Sequence, residues 1–421
     1  MARFFYSIIL YLLSPLIILH LWLRGKKSPD YRKRWHERFG FVKSHSIKKH
    51  AIVFHCASVG EVVAATPLIK KLQLTHPTNP IVITCNTPTG TEQIKRSFLD
   101  TVEHVYLPLD FPGAVNRFIK ALQPKIICIL ETELWPNLIT ISKKNNIPVL
   151  LLNARLSEKS LAGYKKVAPL SKSIMQGITR LAAHDEADAS RFIKLGLDRD
   201  KVITTGSIKF DITINKNTLD QVSNIKQKLI DKQPIWIAGS THPGEDELLL
   251  NTHQNLLKSH PDALLILVPR HPEQFDKVAT LITDAKLTFE RKSSLSNQSR
   301  AQVLLGDTMG ELSILYGAAQ CAFIGGSLIE RGGHNPLEAS AYGIPVITGP
   351  HIFNFLHVYP ELIEAKGCLK VNSSEQILSK LLQIFNDESY RNNIGQQGAL
   401  FVDKNQGAIK KTINIIVKNL N

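Results

Sequence analysis

The residues of this sequence best placed for chemistry are acids and bases that directly follow apolar runs of strand length. Glu61, in Ser58-Val59-Gly60-Glu61, follows the run 52–56, and Glu131 and Glu133 follow the run 126–130. A carboxylate held at the carboxyl end of a buried strand can act as a general base toward a hydroxyl. Glu61 equally suits the first turn of a helix with no ligand at all, where the dipole favours an acid by about 0.3–1 kcal/mol. Cations stand at matching positions. Asn153-Ala154-Arg155 follows the run 149–152, and Gly206-Ser207-Ile208-Lys209-Phe210-Asp211 follows the run 202–204.

A second group lies further along the chain. Gly239-Ser240-Thr241-His242, Pro269-Arg270-His271-Pro272 and the turn 307–311 each follow an apolar run. Small residues that let the backbone approach, an arginine fork and a helix start together suit a phosphate carried on a ribose. An Arg270 paired to a neighbouring acid is the alternative. The stretch 321–355 is richest in such signals, with Gly325, Gly326, Gly332 and Gly333 between two strands and a helix opening at Asn335. Free N–H groups at a helix start favour an anion. Asn335-Pro336-Leu337-Glu338 also reads as a helix cap that needs no ligand, with Asn at the cap, Pro next and an acid three residues on.

Other chemistries are poorly served. A Walker A motif and a GxGxxG after a strand are both lacking, which argues against an NTPase or a dinucleotide enzyme. Asp198-Arg199-Asp200 has the spacing of a metal-nucleotide motif, but it lies in a turn between a helix and a strand, where acids are routine. No His/Cys cluster suggests zinc, and neither metal nor cofactor is expected. The five cysteines sit singly in apolar surroundings, as reduced core thiols of a cytosolic protein would.

The elements that must position these residues repeat. Apolar runs at 52–56, 81–85, 104–107, 126–130, 149–152, 181–184 and 202–204 alternate with helical patterns, and runs at 235–238, 264–268, 303–305, 322–324, 346–348 and 368–371 do so again. Continuous apolar strands between helices predict parallel sheets covered on both faces. The expected fold class is therefore α/β, with two Rossmann-like doubly wound domains facing a cleft and ligands outside the carboxyl ends of the strands. The first domain is placed at 51–214 and the second at 234–421, joined by a polar linker at 215–233, with the last helix able to pack on either half. A chain of 421 residues also exceeds one ordinary core.

Ahead of both domains, residues 1–23 read as a membrane anchor and 24–50 as a basic juxtamembrane segment. Residues 4–23 contain no Asp, Glu, Lys or Arg and are long enough to cross a hydrocarbon core, while Pro15 leaves open a kinked or in-plane helix. Arg3 precedes this stretch, and Arg24, Lys26, Lys27, Arg32, Lys33 and Arg34 follow it, which predicts a cytoplasmic location for the rest. Each such charge gains roughly 1 kcal/mol near anionic headgroups. The formal charge of +15 calls for an acidic partner. Because the charge adjoins an apolar segment and no nucleic-acid motif, anionic lipid or a phosphorylated substrate is expected and nucleic acid is not.

Taken in order, Ser58-Val59-Gly60-Glu61, Glu131-Thr132-Glu133-Leu134-Trp135-Pro136, Asn153-Ala154-Arg155-Leu156-Ser157, Pro269-Arg270-His271-Pro272-Glu273 and Gly332-Gly333-His334-Asn335-Pro336-Leu337-Glu338 resemble the 3-deoxy-D-manno-octulosonic acid (Kdo) transferase family over nearly the whole chain. The resemblance implies a GT-B fold and a bacterial inner-membrane enzyme facing the cytoplasm. It implies transfer of Kdo from CMP-Kdo to lipid IVA, the lipid A precursor, in lipopolysaccharide core assembly. Carried over residue by residue, it implies Glu61 as general base, Glu131 as transition-state stabiliser and Lys209 as charge stabiliser. Arg270, His271, Met309, Gly310, Glu311, Asn335, Pro336, Leu337 and Glu338 would bind CMP without a metal. Ser207 stands where the family pattern has Asn. A membrane-associated GT-B transferase using a UDP-sugar and a non-catalytic two-domain binding protein are the alternatives.

Overall fold

The computed structural model describes residues 1–26, 28–42, 48–229 and 233–420, so Lys27 of the basic run lies outside the described residues. The chain forms two compact units, one of residues 1–211 with 406–421 and one of residues 212–405. The first contains a seven-stranded sheet of β1 (Ile52–His55), β2 (Ile81–Cys85), β3 (Glu103–Tyr106), β4 (Ile126–Leu130), β5 (Val149–Ala154), β6 (Arg180–Ala183) and β7 (Val202–Thr204). Its spatial order is β3-β2-β1-β4-β5-β6-β7, with parallel pairing throughout. Alternate residues of each strand feed opposite faces: Ile52, Phe54 and Cys56 enter one core and Ala51 and Val53 the other. Helices cover both faces, which is why the strands read as unbroken apolar runs.

The second unit has its own parallel sheet, of β8 (Ile235–Thr241), β9 (Leu264–Pro269), β10 (Phe289–Arg291), β11 (Val303–Leu305), β12 (Cys321–Ile324), β13 (Val346–Thr348) and β14 (Cys368–Lys370). Its order is β10-β11-β9-β8-β12-β13-β14. Strand β10 was not legible from hydrophobicity. It is an edge strand of three half-buried residues, two of them Glu290 and Arg291, so no apolar run marks it.

Three expectations are corrected. The single anchor helix over 1–23 does not form. Two helices, Ala2–Leu12 and Ser14–Arg24, are bent by 52°, because Pro15 has no N–H to donate and its ring clashes with the preceding turn. Each has 11 residues, a length of about 16 Å at 1.5 Å per residue, against a hydrocarbon core of about 30 Å. Among the described residues no single helix is long and apolar enough to cross a membrane. The first helix lies on the first unit: Arg3 and Ser7 reach the Asn137 carboxamide, and Tyr11 stacks on Phe111 at 4.9 Å.

The basic segment is likewise partly absorbed into the fold. Arg34 makes a two-pronged ion pair with Glu37 at 2.7 and 2.8 Å, and Arg38 is buried over the Tyr106 ring at 4.3 Å. Finally, the stretch 215–233 contains a helix, Lys216–Lys228, belonging to the second unit. Val222, Ile225 and Leu229 are its buried stripe, three apolar residues at helical spacing on an otherwise polar segment.

The last helix, Ala408–Lys418, packs on the first unit, where Ala408, Ile413, Ile415 and Ile416 join the core beside β1 and β4. Its start is held by Asp211, whose carboxylate accepts the Gly407 N–H at 2.5 Å and the Ile409 N–H.

Candidate active site

Both sheets start in the middle. The chain leaves β1 toward β3 on one side and then returns to β4 on the other, and it leaves β8 toward β10 before returning to β12. Between β1 and β4, and between β8 and β12, consecutive connections therefore diverge, and a crevice opens at the carboxyl ends of the strands.

In the first unit that crevice is where the acids lie. Glu61 follows β1 and Glu131 follows β4. Ser58 caps the helix Val59–Thr75: its hydroxyl accepts the Glu61 N–H at 3.3 Å and donates to Glu61 Oε1 at 2.9 Å, while the Ala57 N–H donates to Oε2 at 2.8 Å. Glu61 thus closes the helix start as a capping-box acid does, but onto the Ser58 hydroxyl and the Ala57 N–H, so the structural reading of Glu61 holds. It does not exclude chemistry, because the carboxylate is buried. Burial pushes its pKa up to about 7; the Ala57 and Ser58 hydrogen bonds oppose the rise, and the nearby Glu131 and Glu133 add to it. A base that is half ionised near neutral pH and fixed in position suits proton abstraction.

Glu131 adopts a left-handed backbone, φ 55°, at a cost of about 1–3 kcal/mol for a residue with a side chain. Its carboxylate is held by two cations, Lys209 Nζ at 3.4 Å and Arg155 Nε at 3.5 Å. Both come from segments that follow other strands. Asn153 is left-handed as well, φ 53°, at a break in the β5–β6 register, and its side-chain oxygen accepts the Ile208 N–H at 3.0 Å. That bond fixes the short turn Ile208–Phe210 carrying Lys209, and Ser207 adds a weak cap to it at 3.4 Å. Burial raises the Glu133 pKa, Trp135 opposes the rise, and the nearby Glu131 adds to it. The structure thus brings Glu61, Glu131 and Lys209 into one cluster and adds Arg155.

The second crevice departs further from expectation. The N–H groups of Gly326, Ser327 and Leu328 in the glycine-rich loop are already used. Glu245, fully buried, accepts the N–H groups of Gly326 at 2.6 Å and of Ser327 and Leu328 at 3.0 Å each, as well as that of His242 at 3.2 Å. The helix expected at Asn335 is a single turn, Leu337–Ser340, and the Leu337 N–H is taken by the Asn335 side chain at 3.1 Å. One turn has little macrodipole to offer, so the helix start by itself adds little to the binding of a phosphate. What the loop offers are side chains. Gly332 and Gly333, both with positive φ, turn the chain so that His334 meets His242, their Nε2 atoms 2.9 Å apart.

Arg270 and His271 follow β9, and the Arg270 N–H donates to the Thr241 carbonyl at 2.9 Å. In the turn 307–311, Met309 is exposed, Gly310 has φ 84°, and Glu311 pairs with Lys292 through both oxygens at 2.8 Å. Glu338 is partly buried beside Pro336 and Leu337; burial raises its pKa and the Asn335 carboxamide opposes the rise. Lys292, Glu245 and the facing of His242 and His334 gave no local signal, because each depends on a partner far along the chain. The Asp198 and Asp200 carboxylates pair with Lys201 at 2.8 Å and Arg180 at 3.9 Å.

Two parallel α/β units, each carrying its polar residues at the crevice of its own sheet, define a glycosyltransferase fold of the GT-B type. A solved glycosyltransferase from Rickettsia africae, 16% identical, aligns over 89% of this chain and 99% of its own with a TM-score of 0.56, a likeness of fold. Residues 33–212 match the family described as 3-Deoxy-D-manno-octulosonic-acid transferase (kdotransferase), and residues 232–418 match Glycosyl transferases group 1. The 3-deoxy-D-manno-octulosonic acid transferase of Haemophilus influenzae is 43% identical over 99% of this chain and 98% of its own length, and that of Bordetella pertussis 31% over 99% of each. The chain belongs to the Kdo transferase family.

The raised Glu61 pKa has a consequence for stability. A carboxyl at about 7 when folded and near 4.3 when unfolded contributes stability that is fully present at low pH and lost as pH rises through about 7. Glu61→Gln removes the ionisation. In urea titrations the variant should gain on the order of 1–3 kcal/mol over the wild type at about pH 8 and almost nothing at about pH 4. An equal change at both pH values would show that Glu61 is not held in a charge-excluding site.

Proposed function

We propose that this protein transfers Kdo from CMP-Kdo to lipid IVA in lipopolysaccharide core assembly, with inversion at the anomeric carbon. The observation that carries the mechanism is the buried Glu61, poised near neutral pH beside a Glu131 pinned by Lys209 and Arg155. Glu61 accepts the proton of the acceptor's hydroxyl. The oxygen forms a bond to the anomeric carbon of Kdo as the bond from that carbon to the CMP phosphate breaks, and CMP leaves with the electron pair. Glu131 faces the positive charge that develops on the sugar ring, and Lys209 balances negative charge as the reaction proceeds. Arg270, His271, the turn at Met309, Gly310 and Glu311, and Asn335, Pro336, Leu337 and Glu338 hold CMP, with Glu338 free to accept from ribose hydroxyls. A single phosphate is within the reach of fixed cations, so no metal is required.

Attachment to the cytoplasmic face of the inner membrane follows the same reading. The supporting observation is the outer face of the two bent helices, where Phe4, Phe5, Ile9, Leu12, Leu16 and Leu19 are exposed while Arg3 and Ser7 hold the other face to the first unit. Such helices suit lying in the interface of anionic lipids with their apolar face sunk into it.

Four outcomes test this. Incubated with CMP-Kdo and lipid IVA, the protein should release CMP and yield a heavier glycolipid, at a rate that rises with pH up to about 7 and then levels. Glu61→Ala should lower the rate by at least about 100-fold with donor binding retained, and a rate within about tenfold of wild type would remove Glu61 as the base. Adding EDTA should leave turnover unchanged; loss that magnesium restores would overturn the metal-free mechanism. Phe5→Glu with Ile9→Glu should abolish sedimentation with phosphatidylglycerol vesicles, whereas undiminished binding would place the membrane contact elsewhere.

A further inference from the structure

The crevice between β8 and β12 gathers positively charged and imidazole side chains. The His242 and His334 rings lie edge to edge and nearly coplanar, 5.1 Å between centroids and 9° apart in plane, and the His271 ring stands 5.5 Å from His242. Arg270, His271 and Arg331 face His242, and Arg270 and His271 also face His334. Among the described residues, neither Arg270 nor Arg331 takes part in an ion pair. The three acids that follow β8 are engaged elsewhere: Glu245 accepts four main-chain N–H groups, Asp246 accepts the Thr241 hydroxyl at 2.6 Å, and Glu247 accepts the Gly244 N–H at 3.2 Å. From the remaining side Tyr359 donates its hydroxyl to the His334 carbonyl at 2.7 Å.

The contact between the rings sets a proton count. Two imidazole nitrogens 2.9 Å apart share one proton, one Nε2 donating and the other accepting. The pair can gain one further proton without losing this bond, at Nδ1 of the donating ring, because an imidazolium still donates to a neutral imidazole. Burial and the surrounding cations push His334 down to about 4 and His242 below its ordinary value. An arriving anion reverses the sign of that field.

We propose that His242 and His334 are a donor-binding pair that, with Arg270 and His271, seats the phosphate of a cytidylate donor and takes up one proton from solution as that anion arrives. This rests on the CMP-Kdo reading above and adds two residues and a proton to it. The crevice is where a doubly wound sheet presents its ligand site; His242 directly follows β8, and His334 lies in the loop that leaves β12. Side chains take the part that the loop N–H groups, spent on Glu245, do not play.

The test is calorimetry of the full chain with the methyl ester of cytidine 5′-phosphate, a diester with one fixed negative charge and no carboxylate, in buffers of different ionisation heat. Wild type should take up close to one proton per diester bound near pH 7, with affinity falling up to about tenfold per pH unit as pH rises. His242→Asn and His334→Asn should each abolish the uptake and weaken binding. The main-chain bonds of residue 334, to the Gly325 carbonyl and from Tyr359, do not use its side chain, and circular dichroism checks that the fold is kept. No uptake by wild type, or undiminished uptake by both variants, overturns the proposal. Uptake with CMP-Kdo but not with the diester assigns the pair to the sugar carboxylate and overturns the phosphate seat. Failure of wild type to bind either ligand overturns the cytidylate reading itself, and the seat with it.

Discussion

All strands of a parallel sheet end on the same rim, and that constraint organises this protein. Every loop able to carry chemistry leaves from one edge of its sheet, and the order of the strands decides which loops become neighbours. In both sheets the first strand lies at the centre and the return strand beside it. Residues 61 and 131, and residues 242 and 334, meet for this reason although about 70 to 90 positions separate them.

Burial does the next part of the work. Glu61 is held at a helix start by ordinary capping hydrogen bonds, yet the same bonds fix its carboxylate at the crevice, and desolvation raises its pKa toward neutrality. Stability and reactivity pull in opposite directions there. Glu131 meets the opposite circumstance: it is strained in its backbone, and two cations hold it. Two carboxylates at one crevice are thereby given different characters, one inclined to carry a proton and one paired with positive charge, which is how unlike roles are drawn from like groups.

In the second unit an internal carboxylate replaces the ligand that the glycine-rich stretch seemed made for. Glu245 fills the nest of loop N–H groups, so in the donor site proposed above recognition passes to imidazole and guanidinium groups. That exchange trades a backbone site, indifferent to pH, for one whose charge depends on it. The amino-terminal helices show a comparable economy. Pro15 breaks what would be one spanning helix into two short ones, and their polar face is spent on the first unit.

The sequence by itself determined the class of fold, because unbroken apolar strands alternating with helices have few ways to bury both faces of a sheet. Short motifs such as Ser58-Val59-Gly60-Glu61 and Pro269-Arg270-His271-Pro272 also placed most candidate residues at strand ends, since a motif a few residues long carries its own local geometry. Tertiary structure alone decided the partnerships: Arg155 and Lys209 on Glu131, Glu245 in the glycine loop, His242 against His334, Asp211 at the start of the last helix, and Arg38 buried instead of facing outward. Each joins residues far apart in the chain, and the hydrophobic periodicity that announces a strand says nothing of which strand will lie beside it.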